Sequence, residues 1–386
     1  MRLLLTGGGT AGHVYPALAT VEALRLESAG STPELLYVGS RGGMEKDIVG
    51  RASLPYADVV ATGLRGKSPL ALASGVLQLA RGLIQALGII GRYRPDAVLA
   101  TGGYVCVPVV LAAWLRRAPV LIYLPDVEPG LAVSFLSRFA TRIAVTSEDS
   151  RRFFDARKVV ATGYPVRPEI RAIDRSTARG SLGLPTDAQV LLVFGGSRGA
   201  QSINEAIARD LPRLLALAHV VHVCGLADES AARGRQAGLD PTLAPRYHLY
   251  PYLHSEMMAA ALVGADLVVS RAGASTLGEF PAAGLPSVLV PYPYAGAHQR
   301  LNAAALERLG AGVALGDEAV RSSGLLPVVE RLLGDPDRLR TMAEAARALD
   351  RPDAARSIAR VLLDLASHQS RGSLQSSHTS HREARR

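Results

Sequence analysis

The sequence predicts an α/β protein built from two Rossmann-like, doubly wound parallel-sheet domains. Three observations carry that expectation. Short apolar runs alternate with longer helical patterns along most of the chain, as βαβ units require. Those runs are nearly uninterrupted, as in strands covered on both faces. A strand running into a glycine-rich turn and then a helix occurs twice, at Leu5-Thr6-Gly7-Gly8-Gly9-Thr10 and at Phe194-Gly195-Gly196-Ser197-Arg198-Gly199. Two similar domains facing across a cleft are therefore expected.

In chain order, strands are expected at Arg2–Thr6, Glu34–Val38, Ala97–Ala100, Val120–Tyr123, Arg142–Val145 and Val159–Ala161. A second series follows at Val190–Phe194, Val220–Cys224, Leu267–Ser270 and Ser287–Val290. The series divide at Gly163-Tyr164-Pro165-Val166-Arg167, a Gly-aromatic-Pro turn before an Arg-rich connector. This gives a first domain at 1–163 and a second at 164–350. A helix at 351–367 is expected to pack back on the first domain. The Ser-, His- and Arg-rich tail, 368–386, lacks apolar periodicity and reads as disordered. The longest apolar stretch, Leu70–Ile90, has Gln78, Arg81 and Gln85 on one side and Leu72, Val76, Leu79, Leu83, Leu87 and Ile90 on the other. That is an amphipathic helix, suited to core packing or a membrane surface rather than to a span.

The chain has 386 residues, enough for two cores. Its net charge of +9 points to anionic partners: nucleotides, pyrophosphates, anionic lipid head groups or nucleic acid, among which charge alone does not choose. Only Cys106 and Cys224 are present, in no CxxC or Cys/His cluster, which argues against disulfides and zinc and fits a reducing cytosol. No aromatic-basic interleaving marks a nucleic-acid binder. The opening apolar run is too short for a signal-peptide core and reads as a buried strand.

The chemistry is expected at the glycine loops. In Gly7-Gly8-Gly9-Thr10-Ala11-Gly12-His13, backbone amides and a helix N-terminus offer an anion site. No GKS or GKT follows, so this is no Walker A loop. His13 admits three roles: base toward a hydroxyl, donor to a phosphate, or helix cap. Thr101-Gly102-Gly103-Tyr104-Val105 opens at the same sheet end, and two glycine mouths together suit a diphosphate. The third loop adds Ser197 as a phosphate donor. Further on, Ser270-Arg271-Ala272-Gly273-Ala274-Ser275-Thr276-Leu277-Gly278-Glu279 joins a strand to a helix, with Glu279 placed to accept from ribose hydroxyls. His298-Gln299-Arg300-Leu301-Asn302-Ala303 brings Gln299 for sugar hydroxyls. The DxD spelling Asp335-Pro336-Asp337 reads as a helix start rather than a metal site.

GGGTAGHVYPAL, GLRGK at Gly63–Lys67, TGGYV, GYPVR, GGSRGAQSIN, SRAGAST with Glu279, and PYPYAGAHQRLNA occur in this order. Together, over about residues 1–365, they resemble the MurG family. That family adds N-acetylglucosamine to undecaprenyl-pyrophosphoryl-N-acetylmuramoyl-pentapeptide, the lipid I to lipid II step of peptidoglycan synthesis. The resemblance implies a GT-B fold, with UDP-N-acetylglucosamine held mainly by the second domain and the lipid acceptor by the first. It implies no cofactor or metal, and a peripheral place at an anionic inner-leaflet surface on the cytoplasmic side of the cell membrane. Carried over residue by residue, Thr10, Ala11 and Gly12 face the donor sugar, Arg167 and Ser197 the diphosphate, and Leu253 the uracil. Ala274, Ser275, Thr276, Leu277, Gly278 and Glu279 surround phosphate and ribose, and Gln299 the sugar. Gly9, Gly103 and Tyr104 are assigned to the acceptor diphosphate.

The chain departs from the family at Tyr123-Leu124-Pro125-Asp126-Val127-Glu128-Pro129-Gly130. Asp126 stands where the family has a donor-contacting Asn, and a carboxylate cannot donate an amide hydrogen bond. His13 is the first expectation for the base and Asp126 the second, with Glu128 or substrate-assisted deprotonation beyond them. Two other functions remain open: a related transferase acting on diacylglycerol or another polyprenyl lipid, and a non-catalytic sugar-nucleotide scaffold.

Overall fold

The computed structural model describes residues 1–27, 32–63, 69–196, 200–293 and 298–383, those at 11, 69–73 and 370–383 by backbone alone. The chain forms two compact units, Met1–Pro165 with Asp353–Arg386, and Val166–Pro352.

In the first unit the strands are β1 (Arg2–Thr6), β2 (Glu34–Ser40), β3 (Tyr56–Val59), β4 (Ala97–Ala100), β5 (Val120–Leu124), β6 (Arg142–Val145) and β7 (Val159–Ala161). The helices are α1 (Ala11–Glu27), α2 (Glu45–Arg51), α3 (Pro69–Tyr93), α4 (Cys106–Leu115) and α5 (Leu131–Leu136). The sheet is wholly parallel in the order β3-β2-β1-β4-β5-β6-β7. Connections diverge from β1 and β4, so the loops after these strands meet at the switch point where α/β sheets collect ligands. Leu3, Leu5, Leu99, Leu121 and Tyr123 bury one sheet face, and Leu4, Val98, Val120 and Ile122 the other.

In the second unit α6 (Glu169–Ala172) and α7 (Arg175–Ser181) precede β8 (Val190–Phe194), α8 (Gln201–Leu217), β9 (His219–Val223), α9 (Glu229–Ala237), β10 (Tyr247–Tyr250) and α10 (Ser255–Gly264). Then come β11 (Leu267–Ser270), α11 (Thr276–Ala283), β12 (Ser287–Leu289), α12 (His298–Arg308), β13 (Gly312–Ala314), α13 (Asp317–Ser323), α14 (Leu326–Leu333) and α15 (Pro336–Ala348). This sheet is again parallel, in the order β10-β9-β8-β11-β12-β13. The connections after β8 and β11 thus diverge at a second switch point. Asp335 caps α15, accepting from the Arg338 N–H at 2.9 Å, so the DxD carboxylate works as a helix start.

The chain ends in α16 (Ala354–Glu383), which packs in the first unit against α1. Ile358, Ala359, Leu362 and Ala366 are buried there, and Arg360 pairs with Glu27 at 3.1 Å. Its backbone stays helical to Glu383, into the segment for which the sequence predicts no order.

Helix α3 packs by part of the expected stripe, with Leu83, Leu87 and Ile90 on the core. Its buried face is Gly75, Gly82, Ala86 and Ile90, while Leu79, Leu83 and Leu87 are half-buried and Val76 is exposed. A Cβ on Gly82 would run into the Val60 carbonyl, and Gln85 accepts from the Val60 N–H at 2.8 Å. Close backbone approach at Gly82 joins the packing of Leu83, Leu87 and Ile90 in seating this helix. Residues Ser74–Tyr93 are long and apolar enough to cross a bilayer by length and composition.

Candidate active site

The first and second glycine loops touch through their backbones. Gly8 N–H donates to Gly102 O at 3.1 Å. Gly103 has φ +88°, and a Cβ there would collide with the Gly8 carbonyl, so only glycine fits both the dihedral and the contact. Gly102, at φ +114°, lies under the His13 ring, where a Cβ would sit 2.9 Å from Nε2.

His13 stands in the first turn of α1. Its N–H donates to Thr10 O at 3.1 Å, and its carbonyl accepts from Thr101 Oγ1 at 2.6 Å. Its Nδ1 lies 3.0 Å from Gly8 O and 3.2 Å from Thr10 Oγ1. A carbonyl oxygen only accepts, so the proton sits on Nδ1 and the neutral ring keeps its lone pair on Nε2. That nitrogen is turned to the second glycine loop. Of the sequence-predicted residues here, Gly9 and Thr10 are exposed and Gly12 is half-exposed. Gly9, however, directs its N–H inward to Glu45 Oε2 at 3.4 Å. Tyr104 is 51% exposed and lies against Gly63, where a Cβ would meet its ring. Asp126 is half-buried in the loop after β5, which is tied down by Ser150 Oγ donating to Val127 O at 2.7 Å.

In the second unit Arg167 and Glu279 come together. Arg167 Nε donates to Glu279 Oε1 at 2.8 Å, and Nη1 to Ser255 Oγ at 3.3 Å. Glu279 is buried in α11. The turn before it is tight: the amides of Thr276, Leu277 and Gly278 donate to the carbonyls of Gly273, Ala274 and Ser275. Gly273, Ala274 and Ser275 are half-exposed, whereas Thr276 and Gly278 are buried. Gln299 Oε1 accepts from the Tyr292 N–H at 2.8 Å, which ties α12 to the loop after β12. Leu253 is buried in a core cluster with Val223, Ala259, Leu262 and Phe280. Ser197, with Arg198, lies outside the described residues, as do residues 64–67 of the GLRGK segment.

Three groups that shape these loops escaped the sequence reading. Glu45 is fully buried beneath the first loop, and a lone glutamate at a helix start reads as a surface residue. Arg271 donates to Asp317 Oδ1 at 2.6 Å, Ser202 Oγ at 2.9 Å and Val290 O at 3.2 Å, and its guanidinium lies 5.4 Å from the Tyr292 ring centre. It joins the start of α8 to the loop after β12; its place in the SRAGAST segment was the available signal. His222 carries the third group. Asn204 Oδ1 can only accept, so His222 Nε2–H donates to it at 3.1 Å while Nδ1 accepts from Tyr247 Oη at 2.8 Å. Asn204 Nδ2 then donates to Cys224 O at 2.8 Å and Asp228 Oδ2 at 2.6 Å. Burial pushes His222 down to about 4, so the ring is neutral and this network holds the first turn of α8.

Comparison with known proteins identifies the owner of these paired loops. The model of the glycosyltransferase family 28 N-terminal domain matches residues 3–145, and that of the family 28 C-terminal domain matches 190–358. A protein from Roseiflexus sp. (strain RS-1), named UDP-N-acetylglucosamine--N-acetylmuramyl-(pentapeptide) pyrophosphoryl-undecaprenol N-acetylglucosamine transferase, is 44% identical over 94% of both chains. One of the same name from Desulforudis audaxviator (strain MP104C) is 45% identical over 95% of this chain and 99% of its own. The crystal structure of Acinetobacter baumannii MurG superposes with a TM-score of 0.74 at 25% identity, covering 94% of this chain and 99% of that one. With both domain models matched in order and relatives aligned nearly end to end, the chain belongs to glycosyltransferase family 28.

Proposed function

We propose that this chain transfers N-acetylglucosamine from UDP-N-acetylglucosamine to the 4-hydroxyl of a muramoyl-pentapeptide carried on undecaprenyl pyrophosphate, converting lipid I to lipid II. Near-full-length identity to two transferases of that name supports the substrates. The observation that carries the chemical step is His13, whose protonated Nδ1 is fixed on Gly8 O, leaving Nε2 to act as base.

The reaction is a single displacement with inversion. The acceptor oxygen forms a bond to the anomeric carbon as the bond from that carbon to the UDP oxygen breaks. The hydroxyl proton passes to His13 Nε2, and UDP leaves with the bonding pair. Charge growing on the diphosphate is met by Arg167, Ser197 and the loop amides. Glu279 accepts from the ribose hydroxyls, Ala274–Gly278 line the nucleotide, and Leu253 backs the uracil. Gln299 faces the sugar with its amide NH2, its carbonyl being spent on Tyr292. Thr10, Ala11, Gly12 and Asp126 are assigned to the sugar end of the donor. Gly103 and Tyr104 serve the acceptor diphosphate; Gly9 takes part through its exposed backbone rather than through its inward N–H.

The first unit meets the acceptor at the cytoplasmic face of the membrane as a peripheral protein. Leu77 and Ile84 of α3 are 65% and 70% exposed, Trp114 at the end of α4 is 51% exposed, and Leu131 of α5 is 73% exposed. Arg81, Arg116, Arg117 and Arg138 are exposed as well, the composition that suits an anionic lipid surface.

Asp126 in place of the family's Asn favours a second reading, in which the fold and donor are kept but the lipid acceptor differs. Turnover of UDP-N-acetylglucosamine against a panel of lipid acceptors decides between them. Transfer to lipid I supports the main reading, transfer only to another lipid the second, and no transfer to any acceptor by folded protein a scaffold.

A further inference from the structure

The peptide group joining Gly8 to Gly9 is bonded at both ends. Its carbonyl accepts from His13 Nδ1 at 3.0 Å, and its N–H donates to Glu45 Oε2 at 3.4 Å. The other carboxylate oxygen of Glu45 accepts from the Ser40 N–H at 2.6 Å and from the Ser40 hydroxyl. Glu45 is 0% exposed, and Cβ atoms on Gly8, Gly39 or Gly43 would each collide with it. Three glycines thus clear the space for one buried carboxylate, which nothing in the donor or acceptor assignments uses. Burying a charge is costly without donors, and here the donors include the loop that carries the base.

We propose that Glu45 is a positioning residue for His13, acting through the Gly8–Gly9 peptide. A carboxylate accepting the amide N–H polarises that peptide, so its carbonyl accepts a stronger hydrogen bond from Nδ1–H. The bond strengthens further once the ring takes a second proton and becomes imidazolium. Glu45 therefore both fixes the tautomer that leaves Nε2 as acceptor and favours the protonated ring, as a carboxylate paired directly with a histidine does. Ser40 keeps the carboxylate from turning away. The inference rests on the reading of His13 as the base.

Glu45→Gln tests it with little change of volume. Its single carbonyl oxygen serves Ser40, and its NH2 then faces the Gly9 N–H, donor against donor. In the full-length enzyme kcat is expected to fall about 10- to 100-fold, with the UDP-N-acetylglucosamine KM within about twofold. The acid limb of the kcat–pH profile should move to lower pH by roughly half a unit to one unit. The titration of the His13 ring carbons, followed by NMR in the absence of substrate, should move in the same direction. Glu45→Asp keeps the charge on a shorter arm and should recover part of both. A loss of kcat with the His13 titration and the acid limb unmoved would make Glu45 a structural residue and overturn the proposal. A displaced His13 titration with an unchanged kcat–pH profile would leave the link standing and remove His13 as the base. Should Glu45→Gln not fold, Glu45→Asp carries the same readouts. There a smaller displacement of the His13 titration to lower pH supports the proposal, and none overturns it.

Discussion

Arg167 Nε donates to Glu279 Oε1 at 2.8 Å, an ion pair between residues 112 positions apart in which the carboxylate is buried and the guanidinium half-buried. Both belong to the proposed UDP-sugar site, where the ion pair orients the carboxylate before any donor arrives.

Glu279→Ala is expected to lower kcat/KM for UDP-N-acetylglucosamine by roughly 10- to 1,000-fold, the range for losing one or two buried polar contacts. Arg167→Ala should fall in the same range. The double variant should cost less than the two losses combined, because part of the Arg167 effect runs through Glu279. Unchanged UDP-sugar kinetics in folded Glu279→Ala would remove the assignment.

His13→Ala is expected to lose about 10²- to 10⁴-fold in kcat while UDP binding, measured by calorimetry, survives. A loss of only about tenfold would be too small for a base. Asp126→Asn should leave kcat near normal or tighten the donor if Asp126 merely replaces a donor-contacting amide. A large kcat defect in Asp126→Asn, with the acid limb of the pH profile abolished, would move the base assignment to Asp126.

His222 makes stability depend on pH. Burial lowers it from 6.5 to about 4, so between these values the unfolded chain binds a proton that the folded chain refuses. Its contribution is complete above about pH 6.5 and is lost as pH falls toward 4, on the order of 3 kcal/mol in all. Thermal melts from pH 7 to 4 should therefore show Tm falling with pH, less steeply in His222→Gln. Parallel curves for the two proteins would show that other groups set the slope.

Flotation of the protein with anionic vesicles should weaken as salt rises, since each basic residue near the surface contributes on the order of 1 kcal/mol that salt screens. Replacing Leu77 and Ile84 by Ser should weaken it at every salt concentration. Equal binding to neutral and anionic vesicles throughout would exclude the electrostatic part.

The sequence by itself determined the two parallel-sheet units and the glycine-rich turns that follow their central strands. The strands it located include β1, β4, β5, β8 and β11, apolar runs buried on both faces. The three it did not, β3, β10 and β13, are all at sheet edges. They read Tyr-Ala-Asp-Val, Tyr-His-Leu-Tyr and Gly-Val-Ala, because an edge strand with one neighbour needs no continuous apolar run. Glycine loops were legible for a local reason: positive φ favours glycine, and close backbone approach leaves no room for a Cβ, as at Gly103. Only the tertiary structure decided what those loops rest on. Glu45 reaches Gly9 across 36 residues, Arg271 reaches Asp317 across 46, and Arg167 reaches Glu279 across 112. The first two follow from the order in which strands lie side by side, and the third from the packing of the connector before α6 against α11. Local periodicity records whether a residue faces the core, and carries no information about which distant residue will be opposite it.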